Sequence, residues 1–238
     1  MSGCSATSRA TELRRALAVA TLLALLFVAF PQLDLWTSSL FYQGDGRWLF
    51  GRDDLILAIP YRGLPRLGQG LLLGLALLLL LGLLPRFASL RRRRAHFAFL
   101  LAGALLGPVL LVDATLKEHS GRTRPVNIEQ FGGQLRFTPA FIPADQCQQN
   151  CSFVSGHVAT AAFVMAFGWL GAPAVRRRWL LVSITFAGYM ALVRMSPGGH
   201  FLSDCLFGWF ATYFSLWLTE WIFRRCRWLP PLSPADPR

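Results

Sequence analysis

Six apolar stretches run along this chain, and each is about as long as a helix must be to cross the hydrocarbon core of a bilayer. Hydrophobic residues make up 54% of the 238 residues, and the mean hydropathy of +0.43 is too high for an ordinary soluble domain. The sequence therefore predicts one all-α polytopic membrane domain over residues 1–238, with six transmembrane helices. The predicted helices are 14–31, 67–85, 96–116, 153–175, 179–195 and 200–223.

The basic residues are distributed as they are at the ends of membrane spans. A net charge of +12 indicates a nucleic-acid partner only when the cations gather on one soluble face, and here they lie in short clusters between the apolar stretches. We therefore expect no nucleic-acid partner. Most of the 24 lysines and arginines lie before the first stretch, after the second, after the fourth and in the C-terminal tail. By the positive-inside rule both termini are cytoplasmic, and the loops 32–66 and 117–152 and the turn 194–200 face outward.

The stretch VRMSPGGHFLSDCLFGWF, residues 193–210, places ionisable side chains at the outer end of the sixth predicted helix. Such groups are costly at membrane depth and usually serve function. His200 and Asp204 are four residues apart and so share one helical face. We expect Asp204 to accept the imidazole N–H of His200, the arrangement of an activated nucleophile or general base. Arg194 adds a planar fork of donors that suits phosphate.

A second group, CSFVSGHVAT, opens the fourth predicted helix. The start of a helix presents free backbone N–H groups and is an anion-binding site. The Gly156 N–H and the Ser155 hydroxyl are candidate phosphate donors, and His157 is a candidate proton donor to a leaving oxygen. Taken alone, these three residues also fit a helix cap with a structural histidine.

A third group, KEHSGRTRP, follows the third predicted helix and supplies Lys117 and Arg124. Alone it would fit the basic flank of a membrane helix. Arg122 lies between the two cations, and both a substrate contact and a solvated side chain fit its position. The three groups occur in order, each at the outer end of a span, and together they predict one phosphate-binding pocket on the outer face.

The three groups resemble the motifs of the type 2 phosphatidic acid phosphatases, the membrane superfamily related to vanadium haloperoxidases. The matching positions are Lys117-x6-Arg124-Pro125, Ser155-Gly156-His157 and Arg194-x5-His200-x3-Asp204. Val154 and Val193 stand where that superfamily commonly has proline and serine. The segments GRTRPVNIEQFGG, FTPAF, QCQQNCSFVSG, RMSPGGHFLSD and FPQLDLWTSSLFY are similar to those of the bacterial lipid A 4'-phosphatases.

The resemblance implies a phosphatase that works through a phosphohistidine. His200 would take the phosphoryl group, Asp204 would orient His200, and His157 would protonate the leaving oxygen and then activate water. The phosphate oxygens would be held by Lys117, Arg124, Arg194, Ser155 and Gly156. The implied substrate is a membrane lipid, lipid A, on the periplasmic side of a bacterial inner membrane. No obligate protein partner is evident in the sequence.

We expect neither a metal nor another cofactor, because the carboxylates are too few and too scattered for a two-metal site. Cys147 and Cys151 lie close together in a loop predicted to be periplasmic, so a disulfide between them is a further possibility.

The residues leave the lipid open, since phosphatidylglycerophosphate, phosphatidate and undecaprenyl pyrophosphate also present a phosphate at this depth. A different class, a non-catalytic binder or transporter of anionic lipid, is disfavoured by the pairing of His200 with Asp204. Pure binding needs cations and gains nothing from an oriented imidazole.

Overall fold

The computed structural model describes residues 4–51 and 54–230 of the chain, with side chains from residue 9 onward. The described residues are mostly helical, as predicted. They form α1 (Cys4–Ala29), α2 (Gln32–Ser39), α3 (Leu55–Leu81), α4 (Ala88–His119), α5 (Gly156–Trp169), α6 (Pro173–Met195) and α7 (Leu202–Arg225). A short antiparallel hairpin, β1 (Tyr42–Gly44) with β2 (Arg47–Trp48), follows α2. The connection 120–155 contains the 3₁₀ turns Pro125–Asn127 and Glu129–Phe131.

The helices α3 and α4 are each long and apolar enough to cross a membrane. The helices α1 and α2 meet at an angle of 87° and make a third candidate if the bent pair counts as one span. These are the candidates among the described residues, and the total of six spans stays a prediction. The helices α6 and α7 have 23 and 24 residues, but both carry several charged side chains.

Several predicted boundaries are wrong. The first and third helices begin at Cys4 and Ala88 rather than at 14 and 96, and two further differences lie closer to the site. The fourth span, predicted over 153–175, is the 14-residue helix Gly156–Trp169, because the chain breaks after Trp169 and Pro173 starts the next helix. The signal for this break was present in the sequence, because Gly171 and Pro173 are residues that end a helix, but the apolar run around them hid it. The second span begins at Leu55 rather than at 67. The Asp54 side chain accepts the Ile56 N–H, and the helix then continues through two prolines near its start.

The helix α4 changes its winding on the way to the predicted site. Its residues Leu105–Leu116 form wider π-helical turns, and Lys117–His119 return to α-helical geometry. Such segments are rare and occur often at functional sites. Here the π-helical turns end just before Lys117, which forms an ion pair of 3.1 Å with Asp113.

Glycines let the helices approach closely around the predicted site. A Cβ atom placed on Gly103 of α4 would lie 2.7 Å from the Leu216 side chain of α7. A Cβ atom on Gly208 of α7 would lie 2.8 Å from the Ser155 carbonyl oxygen, immediately before α5. Small residues of this kind are what membrane helices use to pack against one another.

A second cluster of charged side chains lies at the other end of α6 and α7. Arg176 is buried, lies 3.6 Å from the centre of the Trp169 ring and pairs with Glu12 at 2.9 Å. Glu220 is also buried and accepts hydrogen bonds from Arg9, Trp169 and Arg224. These contacts join α1, α5, α6 and α7, and we call them the α6 start cluster.

The approach of α7 to Ser155 gives a test of the packing. We expect Gly208→Ala to lower the free energy of unfolding by about 1–3 kcal/mol, because the added carbon meets a backbone oxygen that cannot move alone. The matched control is Gly74→Ala on α3, where a Cβ atom meets nothing within 4 Å. The measurement is the thermal unfolding midpoint of each variant in the same detergent. Equal midpoints for Gly208→Ala and Gly74→Ala would contradict the close contact between α7 and Ser155.

Candidate active site

His200 lies in the connection between α6 and α7 and is 2% exposed. Its Nδ1 atom is 2.8 Å from the Ser152 carbonyl oxygen. A carbonyl can only accept, so Nδ1 carries the hydrogen and the lone pair of Nε2 is left for attack on phosphorus. Burial lowers the pKa of His200 to about 3 despite the nearby Asp204, so the imidazole is neutral at neutral pH, as a nucleophile must be.

Asp204 is the second partner of this imidazole, but the contact is longer than the hydrogen bond that the sequence predicts. His200 lies before the first residue of α7, so the two residues do not share a helical face. The Oδ2 atom of Asp204 is 3.6 Å from Nδ1 of His200. The same oxygen accepts hydrogen bonds from the Ser152 hydroxyl at 2.5 Å and from the Phe201 N–H at 2.8 Å. Ser152 therefore contacts both partners, the imidazole through its carbonyl and the carboxylate through its hydroxyl.

The Ser155-Gly156-His157 motif forms the start of α5, as predicted. Ser155 is completely buried, and its N–H donates to the Asp204 carbonyl at 2.9 Å. The Ser155 side chain makes no capping hydrogen bond to the first turn of α5. The His157 ring stacks on Tyr61 with 4.7 Å between centres, and its Nε2 is 3.0 Å from the Tyr61 carbonyl oxygen.

The three predicted cations converge on this region. Lys117, Arg124 and Arg194 all lie close enough to His157 to act on its charge. Arg124 and Arg194 line a cavity of about 60 Å³ together with Tyr61. Lys117 and His157 line a larger groove of about 420 Å³ between α3, α4 and α5.

Each of these cations is held by the fold. Arg124 donates to the Asn150 carbonyl oxygen at 2.8 Å, and the Arg194 guanidinium lies 4.6 Å from the centre of the Tyr61 ring. Gly199 makes room for Arg194, since a Cβ atom there would lie 2.9 Å from a guanidinium nitrogen. Arg124 and Arg194 are therefore held in place by neighbouring groups.

Arg122 does not have either position that the sequence suggested. The residue is 1% exposed, so it is not a solvated side chain, and each nitrogen of its guanidinium donates to a protein acceptor rather than facing a substrate. Its NH1 group donates to Asp204 at 2.5 Å, and its NH2 group donates to Asp34 of α2 at 2.7 Å. Arg122 is buried because the connection 120–155 places this part of the basic loop in the interior, where Asp34 and Asp204 accept its hydrogen bonds.

The disulfide between Cys147 and Cys151 is present, with 5.6 Å between the Cα atoms. The Cys151 N–H donates to the Lys117 carbonyl at 3.0 Å, and the next residue, Ser152, donates its N–H to the Arg122 carbonyl at 2.8 Å. The short segment that leads into α5 is therefore tied to the segment that follows α4. This pairing brings the Lys117-x6-Arg124-Pro125 motif and the Ser155-Gly156-His157 motif together.

Sequence reasoning missed four residues of the site. Asp113 had a visible signal, because it is an ionisable residue within an apolar run, LLGPVLLVDATL. Asp34 lies in a segment that was noted only for its resemblance. Ser152 and Tyr61 each contact a histidine through the backbone carbonyl. Any residue type offers such a carbonyl, so this contact could not be predicted from the sequence.

Comparison with known proteins assigns the family. Residues 95–228, more than half of the chain, match the PAP2 superfamily. The chain belongs to this superfamily. No solved structure matches the chain.

The curated relatives extend the likeness beyond the matched region. The chain is 34% identical to a lipid A 4'-phosphatase of Francisella tularensis subsp. novicida, over 81% of this chain and 86% of that protein. It is 35% identical to a lipid A 4'-phosphatase of Rhizobium etli, over 78% of this chain and 77% of the relative. It is 32% identical to a lipid A 4'-phosphatase of Rhizobium leguminosarum, over 78% of this chain and 85% of the relative.

The hydroxyl of Ser152 gives a test of the site. We expect Ser152→Ala to lower kcat about 10- to 100-fold with little change in KM, because a hydrogen bond to a charged group contributes about 1.5–3 kcal/mol. The control is Ser39→Ala, whose exposed hydroxyl bonds only the Trp36 carbonyl. Steady-state hydrolysis of a lipid phosphate measures both variants, and an unchanged kcat for Ser152→Ala would show that Asp204 does not need this hydroxyl.

Proposed function

We propose that this protein is a lipid A 4'-phosphatase that works through a phosphohistidine. The observation that carries the proposal is the geometry of His200: a buried, neutral imidazole whose Nδ1 hydrogen is held by the Ser152 carbonyl. The three relatives named lipid A 4'-phosphatase, each matched over most of its length, support the choice of substrate.

The first step of the proposed reaction is attack by His200 on the phosphate monoester. The lone pair of Nε2 forms a bond to phosphorus, and the bond between phosphorus and the 4' sugar oxygen breaks. The dianionic phosphate bound beside the ring favours the protonated form of His157, which takes up a proton as the substrate binds. His157 then gives this proton to the 4' oxygen, so the sugar leaves as the alcohol. Negative charge on the three equatorial oxygens is stabilised by Lys117, Arg124 and Arg194.

The second step returns the enzyme to its starting state. His157, now without that proton, takes a proton from water, and the water oxygen bonds to phosphorus as the bond to Nε2 breaks. The products are inorganic phosphate and neutral His200. Every group used belongs to this chain, so the proposal involves no metal or other cofactor.

Asp113 has a place in this scheme as the resting partner of Lys117. Its carboxylate also lies against the start of α5, where a Cβ atom on Gly156 would come within 2.5 Å of Oδ1. A bound phosphate offers Lys117 a second anionic partner on the same side of the groove. Lys117 would therefore move from the carboxylate toward the phosphate oxygens when the substrate binds.

The proposed arrangement in the membrane has six spans, with both termini in the cytoplasm and the active site on the periplasmic side of a bacterial inner membrane. The 23 residues of α6 extend about 35 Å, slightly more than the bilayer core. Arg194 lies at one end of this helix and the α6 start cluster at the other. The exposed arginines Arg91–Arg94 and Arg177–Arg178 support a cytoplasmic position for that other end.

The groove of about 420 Å³ supports a lipid substrate. Apart from Asp113, Lys117, His157 and a few other polar groups, its lining is apolar, with Leu64, Phe163 and Phe186 among the side chains. An acyl chain would fit such a surface while the phosphate stays near the cations.

The substrate proposal is tested with purified protein and bis-phosphorylated lipid A. We expect loss of the 4'-phosphate, unchanged by a chelator, when the product is analysed by mass spectrometry. His200→Ala should abolish the reaction because no nucleophile remains. The control is His119→Ala, since His119 is exposed and its ring bonds only the Thr115 carbonyl.

Other outcomes identify what is wrong with the proposal. Loss of the 1-phosphate instead would refute the positional assignment. If lipid A stays intact while phosphatidate or phosphatidylglycerophosphate is hydrolysed, lipid A is not the substrate, but the phosphohistidine mechanism still stands. Full activity of His200→Ala would refute the nucleophile.

A further inference from the structure

Asp34 of α2 is linked to the proposed nucleophile, His200, through two side chains, those of Arg122 and Asp204. Its Oδ2 atom accepts hydrogen bonds from Arg122 NH2 at 2.7 Å and from the Ser203 hydroxyl at 2.6 Å. Arg122 in turn donates to Asp204, whose other oxygen lies 3.6 Å from His200. A continuous chain of contacts therefore joins α2 to the reacting imidazole.

The same carboxylate also fixes the start of α7. Its Oδ1 atom accepts the backbone N–H of Ser203 at 2.9 Å, and Ser203 lies in the first turn of that helix. The first N–H groups of a helix have no partner within the helix, so a carboxylate placed there stabilises the helix start. Asp204 is the next residue, so its position depends on this contact.

Electrostatics gives Asp34 a second role. The side chains of Asp34, Arg122 and Asp204 are at most 1% exposed, and with both carboxyls ionised they carry one net negative charge. When Nε2 of His200 bonds to phosphorus and Nδ1 keeps its hydrogen, the ring becomes cationic. Without Asp34 the charge of Arg122 would cancel that of Asp204, and no net negative charge would remain beside the ring.

We propose that Asp34 is a positioning residue for the phosphatase reaction, which holds Arg122 and the start of α7 and leaves the charge of Asp204 available to the phosphorylated imidazole. This inference rests on the proposed function. Asp34 lies outside residues 95–228, the part that matches the superfamily, and outside all three motifs. The N-terminal segment thus supplies part of the active-site network.

The test begins with Asp34→Asn, which keeps the size of the side chain and removes its charge. We expect kcat to fall on the order of 10- to 100-fold, the size common for groups that support a reacting residue, with KM unchanged. The matched control is Glu220→Gln, because Glu220 is a buried carboxylate bonded to arginines in the distant α6 start cluster. We expect this control to keep the kcat of the unaltered protein.

A double variant separates charge from general stability. Arg122→Gln alone leaves two carboxylates facing each other, whereas Arg122→Gln with Asp34→Asn restores one net negative charge at Asp204. We expect the double variant to have a higher kcat than either single variant. Thermal unfolding midpoints of the three variants separate the two roles, because a purely structural role predicts that kcat recovers only as far as the midpoint does.

The outcomes distinguish this inference from the proposed function. If the unaltered protein hydrolyses no lipid phosphate, the proposed function is wrong. If it does, and Asp34→Asn keeps full kcat, the inference is wrong. If Asp34→Asn does not fold, the comparison between the double variant and Arg122→Gln decides, and a double variant no faster than Arg122→Gln overturns the inference.

Discussion

The Arg122 guanidinium lies in the protein interior, where an unpaired charge would cost several kcal/mol and where the fold must therefore supply its partners. Two carboxylates do so, Asp34 from α2 and Asp204 from α7. Its Nε group donates to the Thr138 carbonyl at 2.9 Å, and the ring of Phe201 lies against its face. One side chain thereby fixes the relative positions of an N-terminal helix, the loop 120–155 and the helix that carries the proposed catalytic aspartate.

Groups of both charges act on His200. The buried network of Asp34, Arg122 and Asp204 contacts it through Asp204, and with both carboxyls ionised this network carries one net negative charge. Around the neighbouring His157 are the cations, including Arg124 and Arg194, which also act on His200. The cationic side attracts a phosphate, and the anionic side stabilises the positive charge that the ring acquires on attack. The arrangement is thus suited to the transition state of phosphoryl transfer.

The sequence was sufficient for the helical class and for the position of the Ser155-Gly156-His157 motif at a helix start. It was not sufficient for Arg122, because a residue within a basic loop has the pattern of a solvated side chain and its two acidic partners are distant in sequence. The contact between His200 and the Ser152 carbonyl was also hidden, since any residue type offers the same carbonyl. The short α5 was missed because apolar continuity was given more weight than Gly171 and Pro173, which end the helix.

The central claim is that His200 takes the phosphoryl group, and the most direct measurement is the identity of the phosphorylated residue in protein quenched during turnover. Replacement of His157 by alanine should slow both steps with lipid A. With an aryl phosphate, whose leaving group needs no proton, the phosphohistidine should still form, and its slowed hydrolysis should let it accumulate. The account predicts an acid-labile, alkali-stable phosphate that tandem mass spectrometry locates on His200. A phosphate on any other residue, or a His157→Ala protein that cleaves its substrate without ever carrying phosphate, would contradict it.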